Sequence, residues 1–352
     1  EEAARCTTEL SLRVYSSRLL GRDATLVLHG GGNTSLKQRE RNVLGEEEDI
    51  LYVKGSGWDL ATIEEPGFAP VRMDRLVKLA RLEALSDPQM VNELSTQVTR
   101  AGAPGPSVEA ILHAILPHRY VDHTHANAVL AVSNTSGGEA RIREIYGNNV
   151  VVVPYVMPGF DLARLCAQKL SVESHAGTIG MVLLNHGIFS FGDTARESYE
   201  RMISLVARAE AYLARQGAWD LRTPPAAESG SGALRQTLAE LRQRISACAG
   251  FPVILATSSE PKFLGFARRE DLTSISQQGP ATPDHVLRTK RLPMIGRDVD
   301  AYASSYRTYF ERNVAVSQQP KARLDCAPRV VLDPALSLIH ISEPTRLRRI
   351  SY

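Results

Sequence analysis

Four side chains in this sequence have the types and spacing needed for metal-centred carbon chemistry. His123 and His125 stand two residues apart, His186 lies in Asn-His-Gly, and Glu109 ends the run Pro-Ser-Val-Glu. Because side chains alternate faces along a strand, His-x-His directs both imidazoles to one side of a strand but splays them on a helix. The spacing therefore predicts a strand, and His186 from a second strand would complete the open three-ligand set of a catalytic zinc site.

Each of these residues also has an ordinary structural interpretation. A histidine near a strand end is often satisfied by a backbone carbonyl. A glutamate in the first turn of a helix gains about 0.3–1 kcal/mol from the helix dipole without any chemistry. The position of Glu109 close before the His-x-His strand favours an acid–base role. The remaining histidines keep the structural interpretation: His29, His113, His118, His175, His285 and His340. Of these, His113 is a candidate neighbour of the site, because it follows Glu109 by one helical turn.

Two glycine-rich turns predict a surface that binds an anion. The first reads His-Gly-Gly-Gly-Asn-Thr-Ser at 29–35, where consecutive glycines turn backbone N–H groups inward and Asn33 adds a side-chain donor. The second, Lys-Gly-Ser-Gly at 54–57, offers Ser56 and its amides. Ser107 is predicted to be a helix N-cap, where the dipole favours anions. Ordinary tight turns have the same composition, and the missing third glycine excludes a dinucleotide fingerprint.

Helices and strands alternate through the first 216 residues, as the hydrophobic spacing indicates. Helices are predicted over 4–20, 74–85, 107–116, 162–170 and 195–216. Strands are predicted over 24–29, 50–54, 120–124 and 149–155, with a strand pair within 178–191. The helix over 107–116 would lead into the His-x-His strand, and the strand pair would carry His186.

A change of composition predicts that the first domain ends near residue 220. Residues 221–232 are rich in proline, glycine and serine, which is typical of a linker. Beyond them, helices are predicted over 233–248 and 298–313, and strands over 252–256 and 329–332. The predicted organisation is a domain at 1–220, a linker at 221–232 and a smaller α/β extension at 233–336.

Composition excludes several classes of protein. The 352 residues are 43% hydrophobic with a net charge of +2, which predicts a globular chain with a sizeable core. Scattered basic residues argue against a nucleic-acid partner, and the absence of an apolar run of about 20 residues argues against a membrane span. The four cysteines form no Cys-x-x-Cys pair, which argues against a zinc knuckle or a disulfide-stapled secreted fold. A cytoplasmic protein is expected.

Five motifs, in order, resemble those of the class II aldolase/adducin family. They are Gly-Asn-Thr-Ser at 32–35, Lys-Gly-Ser-Gly at 54–57, Pro-Ser-Val-Glu at 106–109, His-Thr-His at 123–125 and Asn-His-Gly at 185–187. The resemblance covers residues 5–216. Longer runs as far as residue 336, including Gly-Pro-Ala-Thr-Pro-Asp-His-Val at 279–286, look like the aldolase portion of bifunctional rhamnulose-1-phosphate aldolase/short-chain (lactaldehyde or alcohol) dehydrogenases.

The resemblance implies an α/β fold of three layers, α/β/α, with a central mixed, largely antiparallel sheet. It also implies homo-oligomers, in which a tyrosine from a neighbouring subunit often acts as the proton donor, with Tyr146 and Tyr155 both open as candidates. The implied site has Zn²⁺, or another divalent metal, on His123, His125 and His186, Glu109 as catalytic acid/base, and the substrate phosphate on Asn33, Ser56, Gly57 and Ser107.

The implied reaction is retro-aldol cleavage of a ketose 1-phosphate. L-Rhamnulose 1-phosphate is the expected substrate, and dihydroxyacetone phosphate and L-lactaldehyde are the expected products. A divalent ion would stabilise the enediolate left by cleavage. Two alternatives stay open: a pentulose-phosphate 4-epimerase with the same zinc site, and an adducin-like interaction domain without catalysis.

Residues 337–352 depart from the family pattern. The run Ser-Leu-Ile-His-Ile-Ser-Glu-Pro-Thr-Arg at 337–346 looks like translated sequencing-adapter sequence. We therefore expect a foreign tail on a truncated fragment that lacks the dehydrogenase domain of the bifunctional family. Pro344 and the basic residues after it argue against a docked helix there.

Overall fold

A computed structural model of the chain describes residues 2–220, 231–258, 260–286, 288–317 and 320–343. The chain forms two compact units: Glu1–Trp219 with Ala281–Asp284, and Asp220–Pro280 with His285–Tyr352. Of the predicted linker, residues 221–230 lie outside the described residues, and 231–232 begin a helix. The domain boundaries drawn from composition stay a prediction.

A seven-stranded sheet forms the centre of the first unit. Its strands are β1 (Asn33–Arg41), β2 (Glu47–Lys54), β3 (Phe68–Arg72), β4 (Tyr120–Thr124), β5 (Val150–Val153), β6 (Gly180–Leu183) and β7 (Gly187–Gly192). Their order across the sheet is β3-β2-β1-β4-β7-β6-β5, and every pair is antiparallel except β5 with β6. The predicted mixed, largely antiparallel sheet is therefore confirmed.

Helices cover both faces of this sheet and make the three predicted layers. They are α1 (Glu9–Gly21), α2 (Met73–Leu79), α3 (Asp87–Thr96), α4 (Ala110–Ile115), α5 (Asn127–Ser133), α6 (Gly138–Tyr146), α7 (Phe160–Glu173) and α8 (Ala195–Arg215). One apolar core joins the sheet to α2, α3, α4 and α7, and another joins it to α1, α5, α6 and α8. Strand β5 shows why: Val151 and Val153 enter the first core while Val150 and Val152 enter the second, so all four are buried.

Two local predictions near the site are wrong. Residues 24–29 form turns rather than a strand, with Leu26 N–H donating to Asp23 O, and the strand begins only at Asn33. A short apolar run shows too little hydrophobic periodicity to distinguish a strand from a buried loop. Here Leu26 is buried within a loop. Ser107 is not an N-cap, because α4 begins at Ala110; its hydroxyl instead accepts the Glu109 N–H at 3.2 Å.

The second unit combines helices with a four-stranded sheet. The helices are α9 (Ser231–Ala249), α10 (Pro261–Ala267), α11 (Leu272–Ser276), α12 (Pro283–Val286, whose first two residues belong to the first unit) and α13 (Val299–Val314). The strands are β8 (Ile254–Ser258), β9 (Met294–Ile295), β10 (Val330–Asp333) and β11 (Ser337–Ser342), in the order β8-β11-β10-β9. No helix among the described residues is long and apolar enough to cross a bilayer.

Strand β11 changes the description of the predicted tail. The first six residues of the predicted tail form β11, which pairs with both β10 and β8. Ile339 and Ile341 alternate with exposed neighbours and are buried in the core of the second unit. Residues 344–352 lie outside the described residues, and the foreign origin of this tail stays a prediction.

Candidate metal centre and active site

Two neighbouring strands bring the three predicted histidines together. His123 lies on β4, His125 follows one residue after its end, and His186 occupies the turn between β6 and β7. The antiparallel register sets His123 opposite Phe189. Gly187 makes the close approach feasible, since a Cβ there would lie 2.4 Å from Thr124 O and 2.9 Å from His123 Cε1. The strand predicted over 120–124 is confirmed, but it contains only His123 of the two histidines, because it ends at Thr124.

The imidazoles are oriented with their ligating nitrogens toward one another. One ligand atom from each histidine lies within 4.8 Å of the others, and the Nε2 atoms of His123 and His125 are 3.1 Å apart. Nδ1 of His123 lies 3.1 Å from the Ile188 carbonyl oxygen, and Nδ1 of His125 lies 2.6 Å from Asp284 Oδ1. Because a carbonyl and a carboxylate only accept, each Nδ1 carries the proton and each Nε2 presents a lone pair.

Burial favours the neutral, metal-binding form of His123 and His186. It lowers the pKa of His123 well below its ordinary value and the pKa of His186 to about 3. Two Nε2 lone pairs facing each other at hydrogen-bond distance repel unless a positive species lies between them. Within the described residues, His186 Nδ1 and Glu109 Oε1 are also buried without a hydrogen-bond partner. The donor set thus fits a divalent metal of the kind that imidazoles bind.

Glu109, the residue immediately before α4, faces the same cluster of imidazoles. Its Oε1 lies 3.5 Å from His123 Nε2 and 3.4 Å from His186 Nε2, with 12% of the side chain exposed. Burial raises the pKa of Glu109, so this carboxyl group holds a proton more readily than an ordinary glutamate. The Ser107 hydroxyl, by accepting the Glu109 N–H, fixes the backbone from which the carboxyl group projects.

The second glycine turn lies against the segment that carries Ser107. Ser56 donates its N–H to Gly105 O at 2.9 Å and its hydroxyl to Pro106 O at 3.3 Å. Gly57 is exposed and has φ of +84°, a conformation that favours glycine. Ser56, Gly57 and Ser107 therefore lie together, as the phosphate-site prediction requires.

Lys54 joins the two glycine turns and was not singled out by the sequence analysis. Its Nζ donates to Gly30 O at 2.7 Å and to Trp58 O at 2.8 Å, and the residue is buried. Burial lowers the pKa of Lys54 to about 8. A buried ammonium group beside glycine turns adds positive charge for an anion, and the motif Lys-Gly-Ser-Gly already contained it.

Asn33 and His113 differ in whether they can reach a ligand. Asn33 pairs with His123 across β1 and β4, and both polar atoms of its amide are buried without a hydrogen bond in the described part of the chain. His113 is fully buried and its Nδ1 contacts the Ser35 hydroxyl at 2.8 Å, outside the cluster of three imidazoles. Asn33 thus lies at the imidazole cluster, where its amide partly offsets the rise that burial causes in the pKa of Glu109, whereas His113 packs in the core.

The tyrosine candidates differ in exposure. Tyr146 is 1% exposed and donates its hydroxyl to Leu205 O at 2.9 Å, which commits it to the core. Tyr155 is 53% exposed. Asp284, the carboxylate on His125, was not predicted as a site residue; its signal was the Pro-Asp-His motif at 283–285.

Two family models match this chain. The model of the class II aldolase and adducin N-terminal domain matches residues 12–213, and that of the aldolase class II second domain matches residues 232–351. The chain is 31% identical over 379 residues to a Bacillus subtilis (strain 168) protein named uncharacterized oxidoreductase YuxG, covering 100% of this chain and 53% of that protein. The chain thus spans about half the length of the curated relative it matches.

Solved structures also resemble the chain. The N-terminal class II aldolase domain of a conserved protein from Thermoplasma acidophilum is 42% identical, with a TM-score of 0.56, covering 59% of this chain and 95% of that one. An L-fuculose-1-phosphate aldolase from Thermus thermophilus is 18% identical, with a TM-score of 0.37, covering 60% and 98%. On the match over residues 12–213, the chain belongs to the class II aldolase and adducin family.

Proposed function

We propose that this chain is a zinc-dependent aldolase that cleaves L-rhamnulose 1-phosphate to dihydroxyacetone phosphate and L-lactaldehyde. The observation that carries the proposal is the position of Glu109, whose Oε1 lies within 3.5 Å of two Nε2 atoms of a three-imidazole cluster. This arrangement puts a proton-holding carboxyl group beside a metal position. The choice of L-rhamnulose 1-phosphate rests on the motif resemblance.

His123, His125 and His186 would hold the metal. A zinc ion bound there supplies Lewis-acid stabilisation for the negative charge that develops on the substrate oxygens, a contribution of several kcal/mol. Three neutral imidazoles leave further coordination positions for substrate, as catalytic zinc requires.

Glu109 would manage the proton on carbon. Cleavage breaks the C3–C4 bond, leaves the bonding pair on C3 and turns the C4 hydroxyl into an aldehyde. The protonated carboxyl group of Glu109 delivers its proton to C3, and its raised pKa favours this form. The C4 hydroxyl proton passes to the phenolate oxygen of Tyr155 of a neighbouring copy in a homo-oligomer, and Tyr155 is the proton donor in the reverse, bond-forming direction. Proton exchange with solvent then restores the Tyr155 phenolate and the Glu109 carboxyl group. We propose Tyr155 because it is exposed while Tyr146 is committed to the core.

The two glycine turns would hold the phosphate. Gly57 offers a backbone N–H and Ser107 a hydroxyl proton, and the Ser56 hydroxyl would exchange its bond to Pro106 O for one to the phosphate. Lys54 adds positive charge between the turns. Asn33 has two unpaired amide atoms to offer the substrate. These groups would offset part of the charge of a bound phosphate, and the ketose end of the substrate would extend toward the metal ligands.

A substrate panel with product analysis tests the proposal. The zinc-loaded protein is incubated with rhamnulose, fuculose and fructose 1-phosphates and with ribulose 5-phosphate, and release of triose phosphate is followed by coupled NADH oxidation. We expect the largest kcat/KM for L-rhamnulose 1-phosphate. His186→Ala, which removes one imidazole, is the matched control and should lose both zinc and cleavage.

Each other outcome contradicts the proposal in a distinct way. Formation of a pentulose epimer without free triose phosphate would replace it by the epimerase alternative. Zinc binding without turnover of any ketose phosphate would favour the adducin-like interaction domain.

A further inference from the structure

Asp284 reaches the imidazole cluster from a segment far along the chain. Residues Ala281–Asp284 belong to the first unit, and Asp284 is 4% exposed. Its Oδ1 accepts the Nδ1 proton of His125 at 2.6 Å, and its Oδ2 accepts the Leu28 N–H at 2.9 Å. Gly31 leaves room for it, since a Cβ there would lie 1.5 Å from Oδ1.

A carboxylate buried to this degree needs hydrogen bonds that compensate for its lost hydration. Its loss of hydration is unfavourable, and hydrogen bonds to both oxygens offset that cost in part. The bond to His125 has a directional consequence, because a carboxylate only accepts and so holds the imidazole proton on Nδ1. The Nε2 lone pair is then fixed toward His123, 3.1 Å away, where a metal would bind.

We infer that Asp284 is a positioning residue that holds His125 in its metal-binding tautomer and ties that ligand to the first glycine turn. The inference rests on the metal site of the proposed function. It extends the functional unit to residues 281–284, beyond the domain predicted to end at residue 220. Carboxylates bound to ligating histidines raise the basicity of the ligand, and their loss typically lowers metal affinity 10- to 100-fold.

The substitution Asp284→Asn separates positioning from simple packing. Asparagine keeps the size of the side chain, and its amide oxygen can still accept the Leu28 N–H. Its NH₂ group then faces His125 Nδ1, which must accept, so the imidazole proton moves to Nε2 and the metal-binding lone pair is lost. We expect zinc affinity, measured by chelator competition, to fall about 10- to 100-fold, with an altered visible absorption spectrum of the Co²⁺-substituted full chain.

Asn134→Ala is the matched control. Asn134 Nδ2 donates to Ala281 O at 2.8 Å, and its Oδ1 accepts from Asn185 Nδ2 at 3.3 Å, so Asn134 tethers the same segment and hydrogen-bonds to none of the three imidazoles. This variant should loosen the segment yet bind zinc within about twofold of the wild type. Equal losses of affinity in Asn134→Ala and Asp284→Asn would show that the segment matters only as packing, and would overturn the inference.

Gly31→Ala provides a second route if Asp284→Asn does not fold. The added methyl group would collide with Asp284 Oδ1 and displace the carboxylate from His125 without removing its charge. We expect a similar loss of zinc affinity. Wild-type affinity in either folded variant contradicts the role of Asp284, whereas a wild-type protein that binds no zinc contradicts the metal site of the proposed function itself.

Discussion

At Gly187 the backbone passes close to two of the imidazoles. A methyl group there would lie 2.4 Å from Thr124 O, 2.9 Å from His123 Cε1 and 3.0 Å from His125 Cδ2. Two of these atoms belong to candidate metal ligands. To avoid the steric overlap, an imidazole ring or the strand that carries it would have to move. The glycine of Asn-His-Gly therefore has a steric reason to be there.

We predict that Gly187→Ala lowers zinc affinity at least tenfold and destabilises the first unit by about 1–3 kcal/mol, the usual cost of overpacking. Isothermal titration with zinc and urea unfolding measure the two effects. Gly105→Ala is the control, because a Cβ at Gly105 meets open space, and it should change stability by less than about 0.5 kcal/mol. Wild-type zinc affinity in Gly187→Ala would contradict the packing account.

The site residues differ in how far sequence could predict them. His123 and His125 carry their own signal, because a two-residue spacing has a fixed meaning on a strand. Asp284 has no such spacing signal, because it lies 159 residues from His125 and only the fold brings the two together. The tautomers of His123 and His125, which decide whether their Nε2 atoms can bind a metal, also could not be predicted from the sequence. They depend on the oxygen atoms that accept the Nδ1 protons, and only the fold brings those atoms into contact.

At the scale of elements, strand β4 is held in place from the face opposite the metal centre. Asp122 points away from His123 and forms a fully buried ion pair with Arg13 of α1. Its second oxygen accepts the Ser198 hydroxyl of α8 at 2.6 Å. Since a one-residue slip would turn both histidines out of the site, this pair fixes the register of the strand that carries His123.

We predict that Arg13→Met destabilises the first unit by about 3–5 kcal/mol, because it leaves the Asp122 charge buried and unpaired. Both tryptophans, Trp58 and Trp219, belong to the first unit, so fluorescence-detected urea unfolding reports on that unit. Arg143→Met removes an exposed pair with Glu139 and should cost about 0.3–0.5 kcal/mol. Similar costs for the two variants would refute the role of the buried pair.

Element predictions succeeded where the hydrophobic period was long. Helix α8 was predicted at 195–216 and occupies Ala195–Arg215, because one buried face repeats over many turns. The run at 24–29 was too short to have a period, and the strand formed instead from the polar residues Asn33–Arg41, where β2 and β4 supply hydrogen-bond partners. Pairing with β2 and β4, which the local sequence does not encode, determines which of these segments forms the strand.

At the scale of the whole molecule, the proposed role of Tyr155 requires more than one copy of the chain. Tyr155→Phe should lower kcat about 100-fold with zinc retained. Tyr146→Phe loses the bond to Leu205 O, so it should cost about 1 kcal/mol of stability and leave turnover intact. Equal kcat in Tyr155→Phe and the wild type would contradict the assignment.

Mixed oligomers test whether Tyr155 acts across copies. When Tyr155→Phe and Glu109→Gln protomers exchange, some sites combine the intact Glu109 of one protomer with the intact Tyr155 of its neighbour. We predict that mixing the two variants restores activity above that of either one, and that sedimentation shows an oligomer. A monomer, or a mixture no more active than its parts, would contradict a shared site.

In the proposed mechanism, Glu109 moves the proton at carbon beside a zinc ion that it does not itself hold. Parallel measurement of zinc content and dihydroxyacetone phosphate release in Glu109→Gln separates these two roles. We predict zinc bound as in the wild type and kcat on L-rhamnulose 1-phosphate lowered by about 10²- to 10⁴-fold. Full turnover in Glu109→Gln, or a loss of activity that merely follows loss of zinc, would contradict it.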